Sequence, residues 1–361
     1  MADDKGLRIG ILGLGALGQN IATALSELPY EFSGADADPE LRTAFAEEYD
    51  AETYDTPEAL MQSDIDAIVI ATPNKFHEAI ATKAFEHGLD VLLEKPLAHT
   101  LDSARRIEEA AERAEAICMV GFHHRYRNVV EIAKRYVEQG YFGDVTHIEG
   151  KFVRRRGVPG RGTWYTSAEI AGGGALIDIG SHVLYNVLDF LEWAAIEDVS
   201  GTVRSDFGHN DDYAYLNMWG EDEKGTIYNV EDAINAFLVF EDGSTANLEI
   251  AWAENTRSTH SYRILGKKAG AEIDITNTLN AVEPVPDQRN DLTIYEVRSV
   301  GTDHFVDSEI MTEQNNPFRT ELETFLEAVR SGTRPERCNV HRALEVQGLL
   351  SEIYEECGDR V

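Results

Sequence analysis

Leu7-Arg8-Ile9-Gly10-Ile11-Leu12-Gly13-Leu14-Gly15-Ala16-Leu17-Gly18 is the stretch on which the reading of the chain turns. Leu7 to Leu12 is a near-continuous apolar run, the signature of a strand buried on both faces. Ala16, Ile21, Ala24, Leu25 and Leu28 then recur at helical spacing. Three glycines sit between strand and helix, and each has a separate physical reason. Gly13 permits the tight turn, Gly15 lets a pyrophosphate approach the backbone, and Gly18 allows close helix–strand packing. An anion at this point meets the free N–H groups and positive dipole end of the helix, around Ala16 and Leu17. A second strand, Phe32–Ala37, carries Asp36 about 20 residues on, where a carboxylate can accept hydrogen bonds from a ribose 2′-OH. The same carboxylate repels a 2′-phosphate, which favours NAD over NADP, although Arg42 close by keeps NADP open.

Outward from this loop, strands and helices alternate. Ile65–Ala71, Asp90–Leu93 and Ala116–Gly121 read as strands, and Pro39–Glu48, Phe76–His87 and Leu101–Ala114 as helices. The pattern predicts an α/β fold with a doubly wound parallel sheet over residues 1–122. Beyond a helix at Val129–Glu138, longer strand-like runs take over: Val145–Arg155, Val199–Ser205, Ala233–Phe240, Ser244–Ala253 and His260–Leu265. Residues 123–361 are therefore expected to form an α+β domain with a large open, mostly antiparallel sheet. Phe318–Arg330 and His341–Cys357 read as terminal helices, the last of them able to pack back on the first domain.

Composition limits the partners. The 361 residues carry 32 Lys and Arg against 65 Asp and Glu, a net charge of −33. A surface this acidic repels nucleic acid and anionic lipid. The carboxylates are spread through segments that also hold periodic apolar residues, unlike a disordered acidic tail. Only nine of the basic residues are Lys, and the combination predicts a protein adapted to high salt, a halophile's. No run reaches the ~20 apolar residues of a membrane helix, and the charged start Met1–Gly6 predicts no signal peptide. Cys118, Cys338 and Cys357 are widely spaced, which argues for a reducing, cytoplasmic setting and against a disulfide scaffold or a zinc site.

Two further motifs carry chemistry. Glu94-Lys95-Pro96 follows the strand Val91-Leu92-Leu93, and Gly172-Gly173-Gly174-Ala175-Leu176-Ile177-Asp178-Ile179-Gly180-Ser181-His182 lies in the second half. Oxidising a secondary alcohol needs a base near the hydroxyl, and His182 suits that role. Asp178, four residues earlier, falls on the same helix face and can orient the imidazole or bind a neighbouring hydroxyl. Lys95 can stabilise a developing alkoxide. Each also has a plainer reading: a solvated strand-end lysine, and a satisfied helix pair. Ala71-Thr72-Pro73-Asn74 and His77 lie at the carboxyl end of the third buried strand, where open α/β sheets place ligands. His123-His124-Arg125-Tyr126 invites a metal reading, but no carboxylate or cysteine stands at ligand spacing and the chemistry needs no metal. His123 and Arg125 remain as substrate-facing candidates. Lys151–Arg161 is rich in arginine. Strand alternation would put Arg154 and Arg156 on one face and Arg155 on the other. Arg154, Arg156 and Arg161, with Trp164 as an apolar wall, suit recognition of a polyol, carboxylate or phosphate. Ion pairing within the fold is the competing use.

Together with the glycine loop, these motifs resemble those of the Gfo/Idh/MocA family, the glucose–fructose oxidoreductase and inositol dehydrogenase family, over nearly the whole chain. The resemblance implies a Rossmann domain, a C-terminal α/β domain with an open sheet, and NAD or NADP as cofactor. It implies sugar or cyclitol substrates and dimers or tetramers packed through that sheet. It also implies Lys95, Asp178 and His182 as the reacting groups, Asn74 and His77 near the cofactor, Glu94 among its contacts, and a cis Lys95–Pro96 bond. A non-catalytic sensor, a nucleotide-sugar dehydrogenase and other chemistry on this fold (glycoside hydrolysis with cofactor recycling, biliverdin reduction) stand as alternatives. A sensor should have lost the proton-transfer groups, and all three are present.

The charge generates the first prediction. At molar salt the repulsion is screened within about 3 Å, so the urea midpoint of unfolding should rise steeply from dilute buffer to molar KCl. Full stability in dilute buffer would remove the high-salt reading.

Overall fold

The computed structural model describes residues 6–216, 220–276 and 291–357. The reading of the charged start falls almost wholly on residues 1–5, outside those described. The chain divides into two compact units, one of residues 1–126 and 316–347, the other of residues 127–315 and 348–361. Residues 123–126 and 316–347 thus group with the first unit, where the sequence alone put them with the second. The reason is packing. The helix Pro317–Ser331 lays Leu322, Phe325 and Leu326 into a core, and Cys338 O accepts from Val120 N–H at 2.6 Å.

The first unit alternates strictly at its start. Its elements are β1 (Arg8–Leu12), α1 (Ala16–Ser26), β2 (Glu31–Ala35), α2 (Pro39–Tyr49), β3 (Thr53–Tyr54), α3 (Pro57–Met61), β4 (Ala67–Ile70), α4 (His77–Glu86), β5 (Asp90–Glu94), α5 (Leu101–Arg113) and β6 (Cys118–Gly121). All pairings are parallel and the strand order is β3-β2-β1-β4-β5-β6. The order reverses between β1 and β4, so the crevice at their carboxyl ends is the place for a ligand. Parallel strands covered on both faces must be apolar throughout; β4 is Ala-Ile-Val-Ile, every residue buried. Helix starts follow local chemistry. Asp38 and Thr56 accept from N–H groups at the heads of α2 and α3, each with Pro in the first turn, and Thr100 does so for α5.

The second unit begins with α6 (Asn128–Glu138), β7 (Val145–Val153), α7 (Ala168–Ala171), α8 (Ser181–Phe190) and β8 (Ile196–Arg204). It continues with β9 (Ala233–Phe240), β10 (Thr245–Ala251), β11 (Thr259–Gly266), β12 (Ala269–Asp274), β13 (Asp291–Val300) and β14 (Thr302–Met311). Eight strands form one sheet in the order β14-β13-β12-β11-β7-β10-β9-β8, antiparallel except for the parallel pair β7–β10. The turn at Asp242-Gly243 closes the β9–β10 hairpin with Gly243 at φ 82°. α8 packs on β7 at Gly150, where any Cβ would lie 2.6 Å from Val183 Cγ1. Two terminal helices complete the chain, α9 (Pro317–Ser331) in the first unit and α10 (Val340–Cys357), whose residues divide between the units. Strand β7 ends at Val153, so Arg154–Arg156 lie beyond it. The alternation expected there fails because these arginines are not in a pleated strand. Among the described residues no helix is long and apolar enough to cross a membrane.

Gly18 tests the packing of the first turn. A Cβ there would stand 1.9 Å from Gly13 O, a backbone atom that cannot swing aside. Gly18→Ala should cost about 1–3 kcal/mol in urea unfolding and weaken dinucleotide binding. If stability and affinity are both unchanged, the close approach is not the reason for glycine.

Candidate functional site

The loop after β1 is built to receive an anion. Gly13 holds φ 94°, and a Cβ there would meet Ala71 O at 2.4 Å. Gly15 is the N-cap of α1, no side chain caps the helix, and its first turn has no acidic residue. A Cβ on Gly15 would meet nothing within 4 Å, so that face of the loop is open. The first N–H groups of α1 are thus left to a ligand. Asp36 closes the other side: Oδ2 accepts from Leu14 N–H at 2.8 Å and Oδ1 from Asp38 N–H at 2.9 Å. Each oxygen keeps a lone pair for a further donor. Arg42 Nη1 donates to the carbonyls of Asp36 and Ala37 at 2.7 and 3.0 Å. This residue braces the loop that presents Asp36.

At the ends of β4 and β5, Thr72 Oγ1 is buried with no hydrogen-bond partner among the described residues. An orphan hydroxyl is costly unless something satisfies it, and a ligand at this strand end would. Asn74 is buried in the short turn Asn74–Phe76. His77 is fully buried, with Nδ1 3.0 Å from Pro96 O and Nε2 2.9 Å from Thr72 O. Burial pushes its pKa down to about 4, against the pull of those carbonyls. Neutral imidazole has one N–H, so only one of the two contacts is a hydrogen bond at a time. His77 ties the β4 and β5 loops together, with both ring nitrogens facing backbone carbonyls. The Lys95–Pro96 bond is cis.

Glu94 is 3% exposed, and Lys95 N–H donates to its Oε2 at 3.2 Å. The carboxylate lies over Gly121 at the end of β6, where a Cβ would come within 2.8 Å of Oε2. A second buried carboxyl, Glu321 of α9, is 2% exposed, and its Oε1 finds no hydrogen-bond partner among the described residues. Burial raises both, Lys95 partly offsets the rise at Glu94, and Glu94 adds to that at Glu321. Two neighbouring buried carboxyls do not both ionise near neutrality. The sequence reading did not name Glu321, since a glutamate in a terminal amphipathic helix looks like surface.

In the second unit the three-glycine motif is explained by one side chain. Glu231 Oε2 accepts from Gly174 N–H at 2.8 Å and Oε1 from Leu176 N–H at 2.9 Å, while Glu231 O accepts from Ala175 N–H at 3.1 Å. Tyr354 Oη donates to Oε1 at 2.8 Å. Burial raises the Glu231 pKa, and these donors oppose the rise. The backbone comes so close that a Cβ on Gly174 would lie 1.9 Å from Glu231 O, and one on Gly173 would lie 2.1 Å from Tyr354 Oη. The segment Leu176–Gly180 is a π-helical turn leading into α8, a distortion common at functional sites. Asp178 and His182 are therefore separated by a wider turn than the regular helix of the sequence expectation. Asp178 is half-buried and His182 is 4% exposed. Trp252, wholly buried after β10, donates its indole N–H to Asp178 Oδ2 at 2.8 Å.

The arginines divide. Arg154 is half-buried, its guanidinium 5.2 Å over the Phe152 ring. Burial lowers its pKa, and nearby Asp178 and Tyr165 pull the other way. Arg155 is exposed. Arg156 donates to Arg155 O and Asn255 Oδ1 and stacks 5.2 Å from the Phe207 ring. Arg161, 3% exposed, donates Nε and Nη2 to Asp222 at 2.8 and 2.7 Å and Nη1 to Asn210 O at 2.9 Å. All three of its nitrogens serve the fold, so the substrate expectation for Arg161 gives way to a structural bidentate pair. Trp164 is half-buried and stacks on Tyr165 at 3.8 Å. In the first unit, His123 stacks on Phe318 of α9 at 4.0 Å, and Arg125 is 1% exposed.

The buried carboxyl of Glu94 gives a prediction with a definite sign. A carboxyl whose pKa is higher folded than unfolded contributes stability fully below its unfolded value, and loses that contribution as pH rises through the folded value. Glu94→Gln cannot ionise, so its urea stability relative to wild type should improve as pH is raised from about 5 to about 8. A difference that stays flat across that range would contradict the raised Glu94.

Comparison with known proteins agrees with this architecture. Residues 7–122 match the family described as "Oxidoreductase family, NAD-binding Rossmann fold", and residues 130–272 match the GFO/IDH/MocA C-terminal domain. A protein of Amycolatopsis mediterranei, provisionally named a UDP-kanosamine synthase oxidoreductase subunit, is 33% identical over 75% of this chain and 75% of its own length. The scyllo-inositol 2-dehydrogenase (NAD+) of Bacillus subtilis is 27% identical over 91% of this chain and 88% of its own. Among solved structures, aldose-aldose oxidoreductase from Caulobacter crescentus superposes with a TM-score of 0.78 at 23% identity, covering 98% of each chain, which shows the shared fold. From its β3-β2-β1-β4-β5-β6 sheet through its three-glycine motif, the chain belongs to the GFO/IDH/MocA oxidoreductase family.

Proposed function

We infer that this protein transfers hydride between a secondary alcohol of a sugar, inositol or related polyol and a nicotinamide dinucleotide, with NAD preferred over NADP. One observation carries the reading. The chain keeps Lys95, Asp178 and His182 together with a glycine loop whose Gly15 face is open and whose helix end is uncapped. The names of its relatives, a scyllo-inositol dehydrogenase and a D-glucoside 3-dehydrogenase of Escherichia coli, support the substrate class.

The dinucleotide fits the residues present: Gly13 and Gly15 for the pyrophosphate, the N–H groups at Ala16 and Leu17 for its charge, and Asp36 for the ribose. Ala71, Thr72 and Asn74 lie at the β4 end for the remaining contacts. When bound, the nicotinamide supplies the hydride acceptor. His182 takes the hydroxyl proton as the C–H bond breaks, and the imidazole needs a pKa near the working pH for this. Asp178 accepts from a substrate hydroxyl or from the imidazole and holds it in register. Lys95 donates to the reacting oxygen as negative charge develops. Glu94, whose Oε2 accepts from the Lys95 backbone N–H, is read among the cofactor contacts. Arg154, Arg156 and Trp164 remain candidates for substrate contact, with His123 and Arg125.

The protein is read as a cytoplasmic homodimer or homotetramer assembled through the open sheet. Three buried free cysteines and the exposed Phe237 on that sheet favour this. Light scattering on the purified protein measures the assembly. The alternative of a nucleotide-sugar dehydrogenase draws on the name of the Amycolatopsis relative.

Nicotinamide absorbance across D-glucose, D-xylose, myo-inositol, scyllo-inositol and UDP-glucose, with each cofactor in high salt, tests the reading. Turnover on a polyol is expected; a silent panel with dinucleotide still bound would favour a sensor. Lys95→Ala and His182→Ala should each cut kcat by about 10²-fold or more while sparing dinucleotide affinity. Undiminished turnover in both would remove the catalytic assignment. Asp36→Ala should weaken NAD more than NADP, and an unchanged ratio of the two affinities would show that Asp36 does not set the preference.

A further inference from the structure

We propose that Trp252 is a positioning residue of the reaction: its indole N–H holds Oδ2 of Asp178 and so sets the orientation in which the carboxylate meets the substrate. The proposal rests on the role given to Asp178 above. Its observations lie wholly within the second unit. Trp252 Nε1 stands 2.8 Å from Asp178 Oδ2, and Trp252 is wholly buried while Asp178 is half-buried. One side of the carboxylate is therefore held by a rigid, desolvated donor. An indole has a single N–H and no acceptor, so it can serve only the oxygen of Asp178 and cannot exchange roles with it.

The indole is itself immobilised from the backbone. Trp252 N–H donates to Asp232 O at 2.8 Å, and Trp252 O accepts from Gly157 N–H at 2.7 Å. Gly157 is pressed against this point: a Cβ there would lie 2.9 Å from Trp252 O and 2.5 Å from Arg154 Cδ. Asp232 is anchored in turn, its carboxylate accepting from Asp206, Phe207 and Gly208 N–H at 3.0, 2.7 and 2.8 Å. Its chain neighbour Glu231 holds the N–H groups of Gly174 and Leu176. One dipeptide, Glu231-Asp232, thus fixes both the turn that carries Asp178 and the indole that holds its carboxylate.

The test uses the full-length protein. Trp252→Phe keeps a ring and removes the donor; site-specific replacement by 3-benzothienylalanine, with sulfur where the N–H was, keeps the shape as well. In the 15N-labelled protein, Asp178→Ala should move the Trp252 indole proton and speed its exchange with solvent. An unmoved resonance would overturn the contact. On whichever of D-glucose, D-xylose, myo-inositol and scyllo-inositol turns over fastest, either Trp252 replacement should lower kcat/KM about tenfold or more with NAD affinity unchanged. In the Asp178→Ala background the same replacement should cost less than about twofold, the non-additivity of groups acting as a unit. Equal losses in the two backgrounds would make Trp252 a merely structural residue and sink the proposal. If Asp178→Ala alone leaves turnover intact, the role of Asp178 fails first, a distinct outcome.

Discussion

Capture of three consecutive N–H groups by Glu231 is the constraint on which the second unit's chemistry depends. A helix leaves its first four N–H groups without partners, and here Glu231 satisfies those of Gly174, Ala175 and Leu176 with its carboxylate and its carbonyl. The glycines are the consequence, since a Cβ on Gly173 or Gly174 would occupy the space of Tyr354 Oη or Glu231 O. The head of α1 in the first unit has the same orphan groups and no side-chain cap. The contrast separates their uses. A filled helix end is a fixed support for the side chains that follow it, and an unfilled one beside an open Gly15 is a site for an anion.

Much of the first unit was legible because its signals are local. An apolar strand, a glycine turn, an amphipathic helix and a carboxylate about 20 residues on are all short-range features, and their alternation implies a doubly wound parallel sheet. The second unit was legible as a class and less so in detail. β13 and β14 went unread because apolar residues stand at exposed as well as buried positions: Leu292 and Ile294 are buried, but Val297, Val300 and Phe305 are exposed, so no clean alternation marks the strands. The arginine run was read as strand, but pairing stops at Val153 and the chain turns at Gly157 to meet Trp252 O. No periodicity in the sequence reports where a ladder partner ends.

The candidate site divides along the same line. Lys95, Asp178 and His182 stand in motifs whose residue types announce chemistry. Glu231, Trp252 and Glu321 do not, because their significance comes from partners 50 to 200 and more residues away in the chain. Arg161 shows the opposite error. Its sequence context, a basic cluster in an acidic protein, suggested an external anion, whereas Asp222 supplies the carboxylate from 61 residues on. With 65 acidic residues to 32 basic ones, an internal carboxylate is the partner an arginine meets most readily.

That imbalance also bears on how each arginine of this segment is used. A buried guanidinium needs a counter-charge and filled donors; Arg161 has both in Asp222 and the carbonyl of Asn210. Arg156 spends donors on Arg155 O and Asn255 and lies over the Phe207 ring. Arg154 differs in kind: the nearby carboxylate that offsets its burial is Asp178, which Trp252 also holds. A charge placed there changes the field at Asp178 whether or not it touches a substrate. Of the four arginines from Arg154 to Arg161, Arg154 is therefore the one whose position couples the arginine-rich segment to the proposed chemistry.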